Sequence, residues 1–573
     1  MSQVRRKKDP IFPIGFALRE SLKGYNANTF MHDFFAAVVV SIVALPLSMA
    51  LAVAVGLPPQ HGIYTAVVAG FVAALLGGSK LQVSGPTAAF IVILIPIVQQ
   101  YGLRGLLISQ IMAGVFLVLM GMARLGRVIT FVPYPVSTGF TGGIALVLAT
   151  MSLNELLGLG ITTFDQQYWE KVIQLIHGFA HINVAECLTG LITLFVLTSW
   201  NKITTKIPAP FVAIVIGTAV GYWLNSKGMA VSTLGTRFSH LDGGTMVPGI
   251  PPYGPFTSQN IDLAHTILAW PDFTEIRSLV VPAMVIALLA ALESLLSATV
   301  LDGMTGQRHN PNAELIGIGF ANMASAPALG IPATGAIARS TTNYRFGGRT
   351  PFASAMHALL IMLYVMMLTP FINHMPMASL AALLMVVAYH MSHYRQIINI
   401  VVMAPRRDTI VLLTCIFLTV FIDMVAGVLV GIVLASLLFM RNMSDLTETK
   451  FEDSYGTGPK PPKLPPNVML YRIQGPLFFA TAEKALDRSH FMNTHIKIVV
   501  IDMENVPVID VTAIVAMESL LLHIEQQGIH PVLTGKGQLI NKIVHRLPTH
   551  TKDHISYFPT TEEALKKIRS KKA

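Results

Sequence analysis

The scarcest commodity in these 573 residues is charge: Asp, Glu, Lys and Arg together make up 12%, about half the roughly 25% of a soluble domain. A chain so poor in charge cannot cover a water-facing surface, which excludes a soluble enzyme. Cysteine is scarce as well, with two residues, which excludes a disulfide-stapled scaffold. Cys187 and Cys415 lie in or beside apolar segments without partners at metal-ligand spacing, so they read as small core residues. There is no Walker phosphate loop, no His/Glu zinc motif and no convincing nucleophile elbow. An ATP engine, a catalytic role and a cofactor are therefore not expected. Disorder is excluded by what is abundant, 53% hydrophobic residues with mean hydropathy +0.60. A polytopic α-helical membrane protein remains. Its net charge of +10 is explained by basic cytoplasmic loops and does not call for nucleic acid.

The composition is uneven along the chain. Residues 1–33 form a segment with Arg5, Arg6, Lys7 and Lys8 but no apolar core directly behind them. No cleavable signal is read there, and the first spanning helix is expected to direct insertion. Residues 34–441 are a train of apolar segments, 442–466 a linker ending in a Pro/Gly-rich run, and 467–573 a domain of soluble character. A span needs about 20 apolar residues. Fourteen segments are placed near 34–55, 62–78, 86–100, 104–122, 130–151, 184–200, 210–225, 279–300, 313–326, 334–345, 351–373, 377–391, 409–422 and 424–441. With the N-terminus inside, eighteen basic residues of the membrane part fall on the inner side. Five fall outside: Arg104, Lys171, Lys227, Arg237 and Arg277. That asymmetry puts both termini in the cytoplasm.

The third and tenth segments, at matching places in two halves of seven, are the most interrupted. One begins Ser84-Gly85-Pro86-Thr87-Ala88, the other Pro332-Ala333-Thr334-Gly335-Ala336. Proline lacks a backbone donor and glycine tolerates unusual dihedrals, so each motif can start a helix inside the membrane. Helix starts carry unpaired N–H groups and the positive dipole end. Two of them face to face would make an anion site, with Thr87 and Thr334 adding hydroxyl donors. The competing reading is a pair of ordinary kinks. About one turn further on lies Arg339, in Ala338-Arg339-Ser340. An intramembrane arginine is costly unless it faces a cavity or a partner, which marks it as a candidate anion ligand.

Glu293, flanked by apolar residues, is the matching acid. Buried, it could carry a proton, or it could form a salt bridge with Arg339; the two roles are compatible. Asp302, Arg308 and Glu314 read as a loop network, and Asp33, Asp423 and His61 as interfacial. In the tail, 468–473, 496–502 and 531–534 read as strands and 510–527 as a helix, which gives a small α/β domain. The stretch Gly475–Ala480 reads as an exposed aromatic turn suited to contact with the membrane part.

Four blocks are familiar: Gly56-Leu-Pro-Pro-Gln-His-Gly-Ile-Tyr64, Gly77-Gly-Ser-Lys-Leu-Gln-Val-Ser-Gly-Pro-Thr-Ala-Ala-Phe90, Leu301-Asp-Gly-Met-Thr-Gly306 and Thr334-Gly-Ala-Ile-Ala-Arg-Ser340. In this order they resemble the sulfate permease (SulP) family of anion transporters, and the tail resembles a STAS domain. The resemblance covers nearly the whole chain. Within the family it leans toward the bacterial aerobic C4-dicarboxylate carriers. It implies a seven-plus-seven inverted repeat, a core moving against a gate, a homodimer, and a multi-pass place in the bacterial inner membrane. It also implies substrate binding around Gly85, Pro86, Thr87, Ala88, Thr334, Gly335, Ala338, Arg339 and Ser340, with proton coupling through Glu293. Thr512 matches a position phosphorylated in regulatory STAS proteins, though a threonine there also suits a helix cap, and the STAS domain is a candidate dock for a cytoplasmic protein. The expected function is proton-driven uptake of C4-dicarboxylates such as succinate. A sulfate or bicarbonate carrier is the alternative within the class, and a channel or a membrane-anchored sensor with STAS output the alternatives outside it.

Overall fold

In the computed structural model the described residues are 14–126, 133–161, 163–165, 167–204, 206–242, 245–269, 271–445, 447–452, 454, 463–465, 467–478, 496–535, 537–545 and 555–570. The chain forms two compact units, Met1–Ile432 and Val433–Ala573. Of the expected N-terminal segment, residues 1–13 lie outside the described residues, as do 455–462 and 466 of the expected linker.

Among the described residues nine helices are long and apolar enough to cross a membrane: Ala27–Ala54, Ala88–Met122, Tyr134–Leu157, Val184–Ile203, Ala209–Ser226, Phe273–Thr305, Pro351–Ile372, Met377–Met403 and Met424–Met443. The fourteen expected segments are recovered when the shorter elements are added. Gln60–Leu76, Pro311–Ser325, Ile337–Arg345 and Arg406–Phe421 are four of them. The fifth arises because Ile91–Met122 is bent at Gly102, whose φ of 66° and ψ of −169° join two crossing segments. That left-handed backbone is open to glycine and strained for other residues. Met377–Met403 is broken too: His393 sits at φ 44° before the amphipathic helix Tyr394–Met403.

The membrane helices pack as two groups. Ala27–Ala54, Gln60–Leu76, Ile91–Met122, Phe273–Thr305, Pro311–Ser325 and Pro351–Ile372 pack on one another. Tyr134–Leu157, Val184–Ile203, Ala209–Ser226, Met377–Met391 and Arg406–Phe421 form the other group. These are the core and the gate that the sequence led us to expect. The core's tightest feature is where its halves meet. Ser84–Gly85 pairs antiparallel with Thr334–Gly335, and Ala336 N–H extends the ladder to Val83 O at 3.0 Å.

Non-helical backbone at membrane depth needs every polar group satisfied from within. Here side chains do it. Asn322 Oδ1 accepts from Ala333 N–H at 2.8 Å while its Nδ2 donates to Ala333 O at 2.9 Å. Ser294 Oγ accepts from Gly335 N–H at 3.0 Å, and Ser340 Oγ from Val83 N–H at 2.9 Å. Ser354 Oγ donates to Gln82 O at 2.7 Å and Asn343 Nδ2 to Leu81 O at 2.9 Å.

Several residues sit differently from expectation. Asp33 is buried rather than interfacial: it accepts from the backbone N–H groups of Arg349 and Thr350 at 2.7 and 3.1 Å and so holds Thr350, the N-cap of the helix Pro351–Ile372. His61 is buried too, with Nδ1 2.6 Å from Leu329 O, tying the second segment to the chain that leads into the tenth. Glu314 is deeper than a loop network implies. Its carboxylate accepts from Gly78 N–H, Ser79 N–H and Gln82 Nε2 at 2.8, 2.9 and 2.7 Å, fixing the approach to the first chain break. Of the cysteines, Cys415 is buried while Cys187 is half-buried.

The tail is a five-stranded sheet in the order Glu448–Glu452, Val468–Gln474, Ile498–Asp502, His530–Thr534, Ser556–Phe558, the first pair antiparallel and the rest parallel. The residues expected to begin the linker at 442 are thus structured, first in the helix Met424–Asp445 and then in this edge strand. Its sequence, Glu-Thr-Lys-Phe-Glu, looks like linker because an edge strand keeps charged side chains in water. Its one aromatic, Phe451, packs on Tyr471 with ring centroids 4.6 Å apart. The helix Val511–Gln526 buries Ala513, Met517, Leu520 and Ile524 against one sheet face, and Ala564 and Leu565 of Thr561–Ser570 cover the other. At roughly 1.5–3 kcal/mol for each large apolar side chain buried, these stripes hold the layers together. Within the expected exposed turn at Gly475–Ala480, Leu477 is buried in this core and hydrogen-bonded through its N–H to Val508 O at 3.0 Å, while Gly475, Pro476 and Phe478 are half-buried. Residues 479 and 480 lie outside the described residues.

Candidate functional site

The two chain breaks put two helix starts at one cavity. After the Ser84–Gly85 strand, Thr87 has extended backbone (φ −128°, ψ 157°) and a short 3₁₀ turn, Ala88–Phe90, leads into the third segment. After Thr334–Gly335, Ala336 is extended (φ −93°, ψ 111°) and the tenth segment begins at Ile337. The helices therefore start two and five residues beyond Pro86 and Pro332, later than the prolines alone suggest. In neither case does a side chain cap the first N–H groups.

A cavity of about 280 Å³ lies at these starts. Thr87, Ala88, Glu293, Ala338 and Arg339 line it, with Leu47, Phe140, Leu292 and Val387 among its apolar walls. Thr299 and His393 are also part of its lining. The volume suits a small ion with some water.

Arg339 is 1% exposed and forms no ion pair among the described residues. Its Nη2 donates to Ser48 Oγ at 3.1 Å and to the Pro86 carbonyl at 3.2 Å; both partners are neutral. Nε and Nη1 have no partner among the described residues. Gly85 makes room for the guanidinium, since a Cβ there would stand 2.5 Å from Nη1. The alternative reading of Glu293, a salt bridge with Arg339, is not what the structure shows. Glu293 instead accepts from Thr87 Oγ1 at 2.7 Å. A buried cation and a half-buried carboxylate thus share one cavity without neutralising each other directly.

The remaining sequence candidates stand behind this wall. Thr334 does not offer its hydroxyl to the cavity: it is bonded to Ser294 Oγ at 2.7 Å and reaches Ala290 O at 3.3 Å. Gly335 is pressed against the Gln82 side chain. Pro86 contributes its carbonyl, and Ser340 holds Val83. Ser48, Ser294, Gln82 and Asn322 were missed in the sequence. Gln82 lies between two expected spans, but for Ser48, Ser294 and Asn322 the signal was there to find, because each is a polar residue inside an apolar span, where such residues have a reason to be. His357, fully buried with both ring nitrogens unpartnered among the described residues, carries the same signal. In the tail, Thr512 is exposed and does not cap its helix. Asp510 does, accepting from Ala513 N–H at 2.8 Å.

The comparisons with known proteins agree with this architecture. Residues 30–415 match the model of the sulfate permease family and residues 462–564 that of the STAS domain. The putative sulfate transporter YvdB of Bacillus subtilis (strain 168) is 36% identical over 91% of this chain and 95% of its own length. The bicarbonate transporter BicA of a Picosynechococcus strain is 27% identical over 85% of this chain and 86% of its own. The structure of the murine Slc26a9 anion transporter in its inward-facing state superposes with a TM-score of 0.82 at 17% identity, covering 100% of this chain and 96% of that one. The likeness to Slc26a9 is one of fold. The chain belongs to the sulfate permease family of anion transporters, with a C-terminal STAS domain.

Proposed function

We propose that this protein is a secondary carrier of a small inorganic oxyanion, sulfate in the first instance and bicarbonate in the second. The observation that carries this reading is the Arg339 guanidinium, buried without a counter-ion and with free donors, beside two uncapped helix starts at a 280 Å³ cavity. Positive potential from one full charge and two dipole ends suits a compact anion. The relatives named for sulfate and bicarbonate favour an inorganic ion over succinate. A C4-dicarboxylate would need a second cationic anchor, and among the described residues Arg339 is the one Lys or Arg lining the cavity.

Glu293 supplies the coupling in this account. Ionised, it opposes an entering anion. Protonated, it leaves Arg339 uncompensated and admits one, so proton and anion travel together. Gly85, Pro86, Thr334, Gly335 and Ser340 act as the scaffold, while Thr87, Ala88, Ala338 and Arg339 meet the ion. The proposal places the protein in the inner membrane with both ends in the cytoplasm, as the charge asymmetry indicates, and working as a homodimer. The exposed Thr512 is its candidate regulatory modification site. Uptake of radiolabelled sulfate into proteoliposomes, challenged in turn with bicarbonate and succinate, tests the substrate. Competition by bicarbonate with none by succinate is expected; the reverse would sink the inorganic assignment.

A further inference from the structure

We propose that a second cavity, at the opposite end of the same helices, holds an entry subsite for a small oxyanion with Arg237 as its cation. This rests on the transport reading for its place on a pathway, though not for its chemistry. The cavity has a volume of about 380 Å³ and is lined by Gln99, Ser152, Asn154, Glu155, Thr163 and Arg237 among others. It shares walls with the Arg339 cavity. Helix Ala27–Ala54 gives Leu47 and Leu51 to one and Ala50 and Ala54 to the other. Helix Met377–Met391 gives Val387 and Met391 to one and Met377 and Leu384 to the other. At 1.5 Å per residue that helix runs about 21 Å, so the cavities address opposite faces of the membrane. The charge asymmetry makes the Arg237 side the external one.

Arg237 is held firmly by its backbone and only loosely at its tip. It ends the turn Leu234–Arg237, which is closed by the reciprocal Thr233–Thr236 capping box. The turn is pinned by Leu234 N–H to Met375 O at 3.0 Å and by Gly235 N–H to Asn373 O at 2.8 Å. The guanidinium then makes one long contact among the described residues, Nη2 to Glu155 Oε1 at 3.4 Å, with both side chains partly exposed. A guanidinium has five N–H donors in a planar fork built for two oxygens at once. Most of that capacity is unspent here. Asn154 also leans on Glu155 Oε1, again at 3.4 Å. Among the described residues no other Asp, Glu, Lys or Arg lines the cavity. Glu155 therefore acts as a resident carboxylate in the place an oxyanion would take. It keeps the empty vestibule neutral and yields when a better-fitting anion arrives.

Two measurements on the full-length protein decide this. The first is equilibrium binding of sulfate to purified Arg339→Gln protein, in which the central site is disabled. Residual binding that falls at least tenfold when Arg237→Gln is added is expected. No residual binding, or residual binding indifferent to Arg237, overturns the subsite whether or not the protein proves to be a sulfate carrier. The second is KM for sulfate from each face of otherwise wild-type vesicles. Arg237→Gln should raise the external KM about five- to twentyfold and leave the internal KM within twofold, while Glu155→Gln should lower the external KM. An equal rise on both faces, or a rise with Glu155→Gln, would mean that the pair is only a structural tie. Absence of sulfate flux in the wild type would count against the transport reading alone.

Discussion

Replacing Arg339 by glutamine removes the one full positive charge from the lining of the central cavity while keeping a donor for Ser48 and Pro86. A unit cation and a unit anion about 4 Å apart interact by about 4 kcal/mol at an effective dielectric of 20. Each helix start, with roughly half a charge a turn further away, contributes on the order of 1 kcal/mol. Losing the cation therefore takes away the larger share of the attraction. Allowing about half of it to be recovered by water entering the site, the expected loss is about 2–3 kcal/mol, near a hundredfold in affinity. Arg339→Lys should fall between, because an ammonium keeps the charge but not the planar fork. Folding should respond in the opposite sense. A buried cation without an ion-pair partner costs desolvation energy, so its removal should leave the melting temperature unchanged or raise it. Sulfate titration of purified protein, with thermal unfolding beside it, reads both quantities. A well-folded Arg339→Gln protein that binds sulfate within threefold of wild type would refute the reasoning.

Other perturbations probe the surrounding parts. Glu293→Gln should keep downhill sulfate flux but lose its response to pH: lower external pH should speed uptake by wild type and leave the variant flat, as followed in proteoliposomes with an imposed gradient. Gly85→Ala puts a methyl group 2.5 Å from Arg339 Nη1; it should raise KM about tenfold with normal membrane insertion, read by uptake kinetics. Ser340→Ala strands the buried Val83 N–H, which should cost about 1–3 kcal/mol and lower the melting temperature of the purified protein. Asp510→Ala removes the cap on Ala513 N–H and should destabilise the tail by about 1 kcal/mol, visible as earlier denaturant-induced exposure of the sheet in hydrogen exchange without a change in KM.

The parts of this fold that were legible in the sequence are those set by composition and period. Apolar runs between turns gave the fourteen segments, and Gly/Pro pairs at matching positions gave the two breaks. Period-two strands followed by the stripe from Ala513 to Ile524 gave the tail. What stayed hidden was set by contacts distant in sequence. Asp33 lies 317 residues from Thr350, from whose N–H and that of the neighbouring Arg349 it accepts, and His61 lies 268 from Leu329; near a helix end each looks interfacial. The pairing of Glu293 with Thr87 rather than with Arg339 depends on which side of a turn the carboxylate leaves, and sequence alone leaves both partners open. Glu448–Glu452 resembled linker because an edge strand shows the same polar pattern. Thr334 resembled Thr87 by symmetry of motif, yet Ser294, with no counterpart in the motif, takes up its hydroxyl.

In the proposed mechanism a buried cation between two helix starts binds an inorganic oxyanion, and proton entry drives its transport. The most direct test is sulfate accumulation by proteoliposomes of the purified protein under an inward proton gradient, with the internal concentration followed past equilibrium. Accumulation above the external concentration, collapsing when the gradient is dissipated, is expected. Flux that only runs downhill, or no flux despite intact sulfate binding, would contradict it, pointing to a channel in the first case and to a sensor in the second.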